Sequence, residues 1–357
     1  MGIVMGMKTL HFTITSDILK LIAELDEFKG HWEALRNLRP DRLQILKKVA
    51  TIESVGSSTR IEGVRLTDQE VEKLLSGIGK RSFISRDEEE VVGYAETMDL
   101  VFQSFSEIPL TENHIKQLHR DLLKHSSKDM RHRGEYKKMP NHVEAYDPQG
   151  KSLGVVFETA TPFDTPLRMQ ELVQITKQSL EEKVQHPLLI IAFFIVHFLA
   201  IHPFQDGNGR LSRILTTLLL LKEAYAYVPY SSLEHVIEEN KDRYYLALRR
   251  AQSTLKTDDS QLNEWILFFL RSMKSQKDVL ARKIEKEKLM DQLPQLSEKI
   301  LVLVRQHGRM TNAQLCSLLG RNRNTIKVHL SRLVEEGKLT RHGKGKGTEY
   351  TTTPHSP

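Results

Sequence analysis

Twelve consecutive residues, His202-Pro-Phe-Gln-Asp206-Gly207-Asn208-Gly209-Arg210-Leu-Ser-Arg213, hold a base, a carboxylate, a glycine-flanked turn and two guanidinium groups. A neutral imidazole near pH 7 can take a proton from a hydroxyl. A carboxylate such as Asp206 can hold Mg²⁺, which favours one or two carboxylates together with substrate phosphates. Glycines let backbone N–H groups approach phosphate oxygens, and a helix starting near Gly209 would present its positive end there. Arg210 and Arg213, three apart, share one face of that helix, where cations oppose the dipole unless an anion meets them. No nucleophilic side chain lies in the loop, so direct transfer to an acceptor hydroxyl is the expected chemistry, by positioning and charge neutralisation. The bland alternative is a glycine-rich turn joining two core helices, with its charges at the surface.

The loop must be pinned by its flanks. Leu188 to Ile201 is almost wholly apolar, too short to span a bilayer, and reads as a buried helix stopped by Pro203. The stretch after Gly209, LSRILTTLLLLKEA, reads as a second buried helix.

The string H-P-F-Q-D-G-N-G-R-L-S-R resembles the Fic motif, H-x-F-x-(D/E)-G-N-G-R-x-x-R, at every fixed position. That resemblance implies transfer of AMP from ATP to a Ser, Thr or Tyr hydroxyl of a target protein. It implies His202 as base, Asp206 as Mg²⁺ ligand, and Gly207, Asn208 and Gly209 as the phosphate cradle. Arg210 would bind phosphate, Arg213 the γ-phosphate, and Phe204 would anchor the loop. Ser58-Thr-Arg-Ile-Glu62-Gly63 is similar to the family's inhibitory motif, (S/T)-x-x-x-E-(G/N), and predicts a Glu62–Arg213 salt bridge that leaves ATP misplaced for attack. Alone, Ser58 and Glu62 would read as capping and solvation groups near a helix end.

Residues 134 to 162 break the helical pattern. Asp147-Pro-Gln-Gly150 is a turn signal and GVVFETAT is β-rich, which predicts a hairpin. By resemblance the hairpin is a flap over the site, with Val156, Phe157, Glu158 and Thr159 bordering the nucleotide. Its end, Ala160-Thr-Pro162, departs from the family's consecutive prolines. Tyr244, Tyr245 and Gln252 fall where similar proteins contact adenine, although tyrosines at helical spacing also serve as core packing.

Elsewhere the spacing predicts helices over 16–35, with Gly30 a candidate break, and from an Asp41 cap to Gly63. Thr67 and Glu70 form a capping box, and helices follow at 87–106 and after Thr111. Helical spacing returns after Pro166, through 231–252 and 261–276, and along the charged segment 275–290.

The basic surplus is local. Residues 295–357 hold eleven Lys and Arg against four Glu, a net of +7, so the remainder stands at −1 within the overall +6. That footprint suits nucleic acid. Three helical segments and a Gly/Lys-tipped alternating stretch form a winged helix-turn-helix pattern. Arg321, Arg323, Asn324, Thr325, Lys327 and His329 surround the start of its recognition helix, and Lys344 and Lys346 tip the wing. Such modules also serve in protein docking or dimerisation.

The expected fold is mainly α. It comprises an N-terminal helical region (1–110), a Fic core with a small hairpin flap (111–274), a helical connector (275–294) and a winged helix (295–357). Cys316 is the sole cysteine, which excludes an intrachain disulfide. No signal peptide or membrane-length run is apparent, so a cytoplasmic protein with no membrane partner is expected. The expected ligands are ATP and Mg²⁺, and the partners a target protein (the chain itself included) and DNA; a homodimer is compatible with both parts. Other readings are a transcription regulator that senses nucleotide through its Fic domain, a de-AMPylase, or another nucleotidyl transferase.

Overall fold

The structure is a computed structural model and describes residues 13–35, 40–77, 83, 85–146, 152–255, 262–291, 295–343 and 345–353. It separates into two compact units, Met1–Leu280 and Ala281–Pro357. No helix among the described residues is long and apolar enough to cross a membrane.

The first unit is built around α7 (Pro187–Ile201) and α8 (Asn208–Lys222), the pair joined by the candidate loop. Every residue of α7 from Leu188 to Val196 is buried. An all-round apolar helix belongs in the middle of a packed core. The side chain of Trp265 fixes it from α11 (Asn263–Asp291) by donating Nε1–H to the Ala192 carbonyl at 2.7 Å. Around the pair pack α2 (Pro40–Ile61), α4 (Arg86–Ser104), α5 (Glu112–Leu122), α6 (Thr165–Glu181) and α10 (Lys241–Thr254). The remaining helices are α1 (Ser16–Leu35), α3 (Asp68–Ser76) and α9 (Leu233–Glu239). Strands β1 (His142–Tyr146) and β2 (Ser152–Glu158) pair antiparallel, His142 opposite Glu158, with two register shifts. The turn expected at Asp147–Gly150 lies outside the described residues.

Local signals behave as their chemistry requires. Thr67 and Glu70 close a reciprocal capping box on α3, and Thr111 caps α5 through the His114 N–H. Four expectations change. Proline is suited to the first helical turn, so α2 begins at Pro40 and takes Asp41 inside it. Gly30 does not interrupt α1. The expected helix over 231–252 is two helices, parted at Asn240, whose side chain turns back to donate to the Val236 carbonyl. The segment 275–290 continues α11 without a break.

The second unit has its own core, formed by Ile300, Val304, Leu315, Ile326, Leu330, Leu333 and Leu339 with neighbours. Its helices are α12 (Gln295–His307), α13 (Asn312–Leu319) and α14 (Arg323–Glu335). Strands β3 (Arg309–Thr311), β4 (Leu339–His342) and β5 (Glu349–Thr352) form an antiparallel sheet in the order β3-β5-β4. Thr311 and Gln314 make a capping box, and left-handed Gly320 ends α13 before the turn. This is the winged helix architecture.

Candidate active site

The loop between α7 and α8 is cross-braced by its own side chains. Asn208 accepts the Phe204 N–H at 2.9 Å and donates to the Phe204 carbonyl at 2.7 Å. Its amide is thereby committed to the loop, and it is 1% exposed. The expected phosphate role of Asn208 therefore narrows to its backbone N–H at the head of α8. Phe204 is fully buried, as an anchor must be, and stacks on His119 with ring centroids 3.8 Å apart. His119, on α5, accepts the Gly134 N–H through Nδ1 at 2.8 Å. Its proton therefore sits on Nε2, which donates to the Asp206 carbonyl at 3.0 Å. Burial pulls the His119 pKa down to about 4, so it stays neutral while holding the loop.

His202 ends α7 in the left-handed region, with φ at +52°. For a residue with a Cβ that conformation costs on the order of 1–2 kcal/mol, which the surrounding contacts must hold. Its Nδ1 lies 3.3 Å from the Leu199 carbonyl, so that nitrogen carries the proton and Nε2 keeps its lone pair. Burial, with the Lys137 ammonium adding to it, lowers the imidazole pKa to about 4.

Gly207 caps α8 at φ +78°, and the Asp206 carboxylate accepts its N–H at 2.6 Å. Burial works against ionisation of Asp206, but Arg210, the Gly207 N–H and Arg86 outweigh it and hold the carboxyl below its usual range. Arg86 reaches Asp206 Oδ2 at 3.2 Å and Glu90 at 2.7 Å. Glu90 lies 2.8 Å from Arg210 Nη1, outside hydrogen-bond geometry, and Arg210 Nε and Nη1 have no hydrogen-bond acceptor among the described residues. Arg210 is 2% exposed. Buried guanidinium N–H groups left unsatisfied at a helix N-terminus are what an incoming phosphate would complete.

Arg213 is already occupied. Its Nε donates to Ser58 Oγ at 2.8 Å, and its Nη2 to the Ser58 carbonyl at 2.9 Å and to Glu62 Oε1 at 2.8 Å. Burial tends to raise the Glu62 carboxyl, but Arg213, then Arg210 and His202, overcome that and lower it. A Cβ added to Gly209 would sit 2.2 Å from Glu62 Oε1. The glutamate carboxylate therefore rests directly on the glycine at the head of α8, where an anion belongs. Gly63, at φ +104°, turns the chain away just after it.

Other expected residues separate. Thr159 gives its hydroxyl to the Asn141 carbonyl and accepts from Lys137 at 2.8 Å, so that hydroxyl ties the hairpin base. Glu158 is exposed, and the side chains of Val156 and Phe157 lie outside the described residues. Tyr244 is 4% exposed and packs among Tyr245, Trp265 and Phe268, so it offers no free face to a base. Tyr245 is partly exposed and Gln252 buried. His119, Glu90, Arg86 and Lys137 escaped the sequence reading; each meets the loop from 64 or more residues away, where spacing carries no signal.

A metal ion would have Asp206 as its one carboxylate. No cluster of three metal-binding side chains occurs among the described residues. A single ionised, partly exposed carboxylate beside a phosphate site fits Mg²⁺, which takes its remaining ligands from phosphate and water.

In the second unit, Asn322 caps α14 by accepting the Thr325 N–H and hydroxyl. Arg321, Arg323, Asn324 and Lys327 are exposed around that helix start. His329 instead turns inward to Ser297 at 2.7 Å and leaves the expected interface. Lys344 and the Lys346 side chain lie outside the described residues.

Residues 109–220 match the Fic/DOC family, and residues 293–340 match the family described as winged helix-turn-helix DNA-binding. Curated relatives include the protein adenylyltransferase Fic of Drosophila melanogaster and of Drosophila sechellia. Each is 27% identical over 243 residues, 66% of this chain and 45% of the relative. The chain thus spans less than half the length of those relatives. A solved Fic family protein from Desulfovibrio desulfuricans shares the fold, with a TM-score of 0.59 at 23% identity, over 97% of this chain and 98% of that one. A Fic domain containing signaling protein from Bacteroides thetaiotaomicron aligns with a TM-score of 0.59 at 26% identity, over 76% and 97% of the two chains.

Proposed function

Residues 109–220 belong to the Fic/DOC family, and from that premise we propose that the protein transfers AMP from ATP to a hydroxyl of a protein target and is held inactive by Glu62. The phosphates lie at the head of α8 against Gly209, Arg210 and Arg213. The target hydroxyl approaches His202 Nε2, which takes its proton as the oxygen attacks the α-phosphorus. The new O–P bond forms as the bond to pyrophosphate breaks, and the proton remains on the imidazole. Asp206 would hold Mg²⁺, which would supply charge neutralisation for the phosphates. Burial keeps His202 neutral before attack, which is the state a base requires.

The observation that carries this reading is the Glu62 carboxylate lying on Gly209 while it pairs with Arg213. A side-chain anion stands where a substrate anion is expected, on the arginine the substrate would need. The Glu62→Gly variant, incubated with labelled ATP and Mg²⁺, is expected to gain AMP transfer at least tenfold, seen as labelled protein of increased mass. His202→Ala in that background is expected to abolish it. Equal labelling in both variants rejects the proposal, and the mass of the adduct identifies the group moved.

A second reading concerns the C-terminal unit. The exposed Arg321, Arg323, Asn324 and Lys327 at the start of α14, with the family match over 293–340, support binding of duplex DNA through that helix. Gel-shift assays with and without ATP test it; no shift at low salt eliminates it.

A further inference from the structure

Lys137, 3% exposed, is the only buried lysine among the described residues. It lies between the Gly134 turn and β1, outside the motif. Its ammonium donates to the Ile201 carbonyl at 3.0 Å, Asn141 Oδ1 at 2.7 Å and Thr159 Oγ1 at 2.8 Å. Three donors meet three acceptors, so the ammonium is fully used. The Lys137 backbone N–H donates to the Pro203 carbonyl at 2.9 Å. One residue therefore grips the chain immediately before and immediately after His202.

The same lysine holds the hairpin. Asn141 directly precedes β1 and Thr159 directly follows β2, and the Thr159 hydroxyl donates to the Asn141 carbonyl. Asn141 Nδ2 in turn donates to the Phe204 carbonyl at 2.7 Å. Both strand ends and the catalytic loop thus converge on one buried cation. No carboxylate is among its hydrogen-bond partners, and burial, then Arg168, pulls its pKa down to about 8. A neutral side chain would avoid that cost, so the charge calls for a use. One is close by, because the ammonium adds to the effects that keep the His202 imidazole unprotonated, while Glu62 and Asp206 act in the opposite sense.

We propose that Lys137 is a positioning residue for the transfer reaction: it clasps His202 in its left-handed conformation and locks the hairpin to the same loop. This rests on the adenylyl-transfer reading of the site. Loss of the clasp would displace Nε2 from the attacking hydroxyl while leaving Gly209, Arg210 and Arg213 untouched. Displacements of about 1 Å cost on the order of 10²-fold in rate.

The test uses the full chain carrying Glu62→Gly, with Lys137→Met and Lys137→Arg added separately. ATP turnover into labelled protein gives kcat and KM, and histidine-selective NMR gives the His202 titration midpoint. Lys137→Met is expected to lower kcat by about 100-fold with the KM for ATP within about threefold, and to raise the His202 midpoint. Lys137→Arg is expected to keep the midpoint low and recover part of the rate. A Lys137→Met rate within threefold of its parent, or an unmoved midpoint, overturns the proposal. If Lys137→Met does not fold, Thr159→Val and Asn141→Ala each remove one arm of the clasp, and parental kcat in both overturns it. If the Glu62→Gly parent transfers nothing, the reaction reading fails, and the midpoint, which needs no turnover, still decides whether Lys137 acts on His202.

Discussion

At the scale of single residues, the contested ground is the space above Gly209. In the Glu62→Gly background, Gly209→Ala would put a methyl group where phosphate is expected. ATP affinity should fall at least tenfold, read by titration of a fluorescent analogue; unchanged affinity would move the nucleotide elsewhere. Ser58 contributes both a hydroxyl and a carbonyl to Arg213. Ser58→Ala leaves a buried guanidinium N–H without its acceptor, at a cost of about 1–3 kcal/mol. The Glu62-bearing protein should then show a several-fold rise in basal AMP transfer, and an undiminished block would show that Ser58 has no part in the lock. The motif residues were legible because twelve adjacent positions carry a fixed chemistry at a fixed spacing. The Glu62 pairing was legible only through resemblance, since nothing in the spacing links positions 151 apart. His119 and Lys137 were hidden, one inside an ordinary amphipathic helix and the other in a polar connector. A lysine looks solvent-facing until acceptors from Asn141, Thr159 and Ile201 surround it.

At the scale of elements, the proposed lock depends on where α2 ends. Arg60, the penultimate residue of α2, donates to Glu238 on α9 at 2.7 and 3.0 Å, to Asp68 at 2.8 Å and to the Leu66 carbonyl at 3.1 Å. Arg60→Ala should loosen the last turn of α2 and raise basal transfer, with little change once Glu62 is also removed. That non-additivity, measured as a double-mutant cycle, is the check. The approach of α4 to α5 depends on Gly93, where a Cβ would lie 2.1 Å from the Leu122 carbonyl oxygen. Gly93→Ala should destabilise the first unit by about 1–3 kcal/mol through overpacking, visible as a lowered denaturation midpoint. Caps and turns made most boundaries readable, because their bonds are local. The Asn240 break and the unbroken run of α11 were not, because amphipathic spacing looks the same on either side of a one-residue kink and along a continuing helix.

At the scale of the whole molecule, acid should be destabilising. His119, His197 and His202 all have pKa values lowered to about 4, against 6.5 for the free group, with burial the leading cause. Between pH 6.5 and 4 the unfolded chain binds more protons at these sites, so stability falls as pH falls through that window. Each imidazole contributes up to about 1.4 kcal/mol per pH unit there. Thermal unfolding at pH 7.5, 6.5, 5.5 and 4.5 should show a flat upper range and a drop below pH 6.5; an unchanged Tm from 6.5 to 4.5 contradicts it. Fold class was readable throughout because both units are dominated by local helical grammar. Glu62 lies one residue beyond the last residue of α2, and Gly63 follows it in a conformation only glycine adopts freely. The Glu62–Arg213 pair lies within one polypeptide, so in the proposed lock it can open by fraying of one turn. If the proposed lock opens this way, release is first order, and turnover per molecule should stay constant when the protein is diluted a thousandfold; a rise on dilution would contradict it.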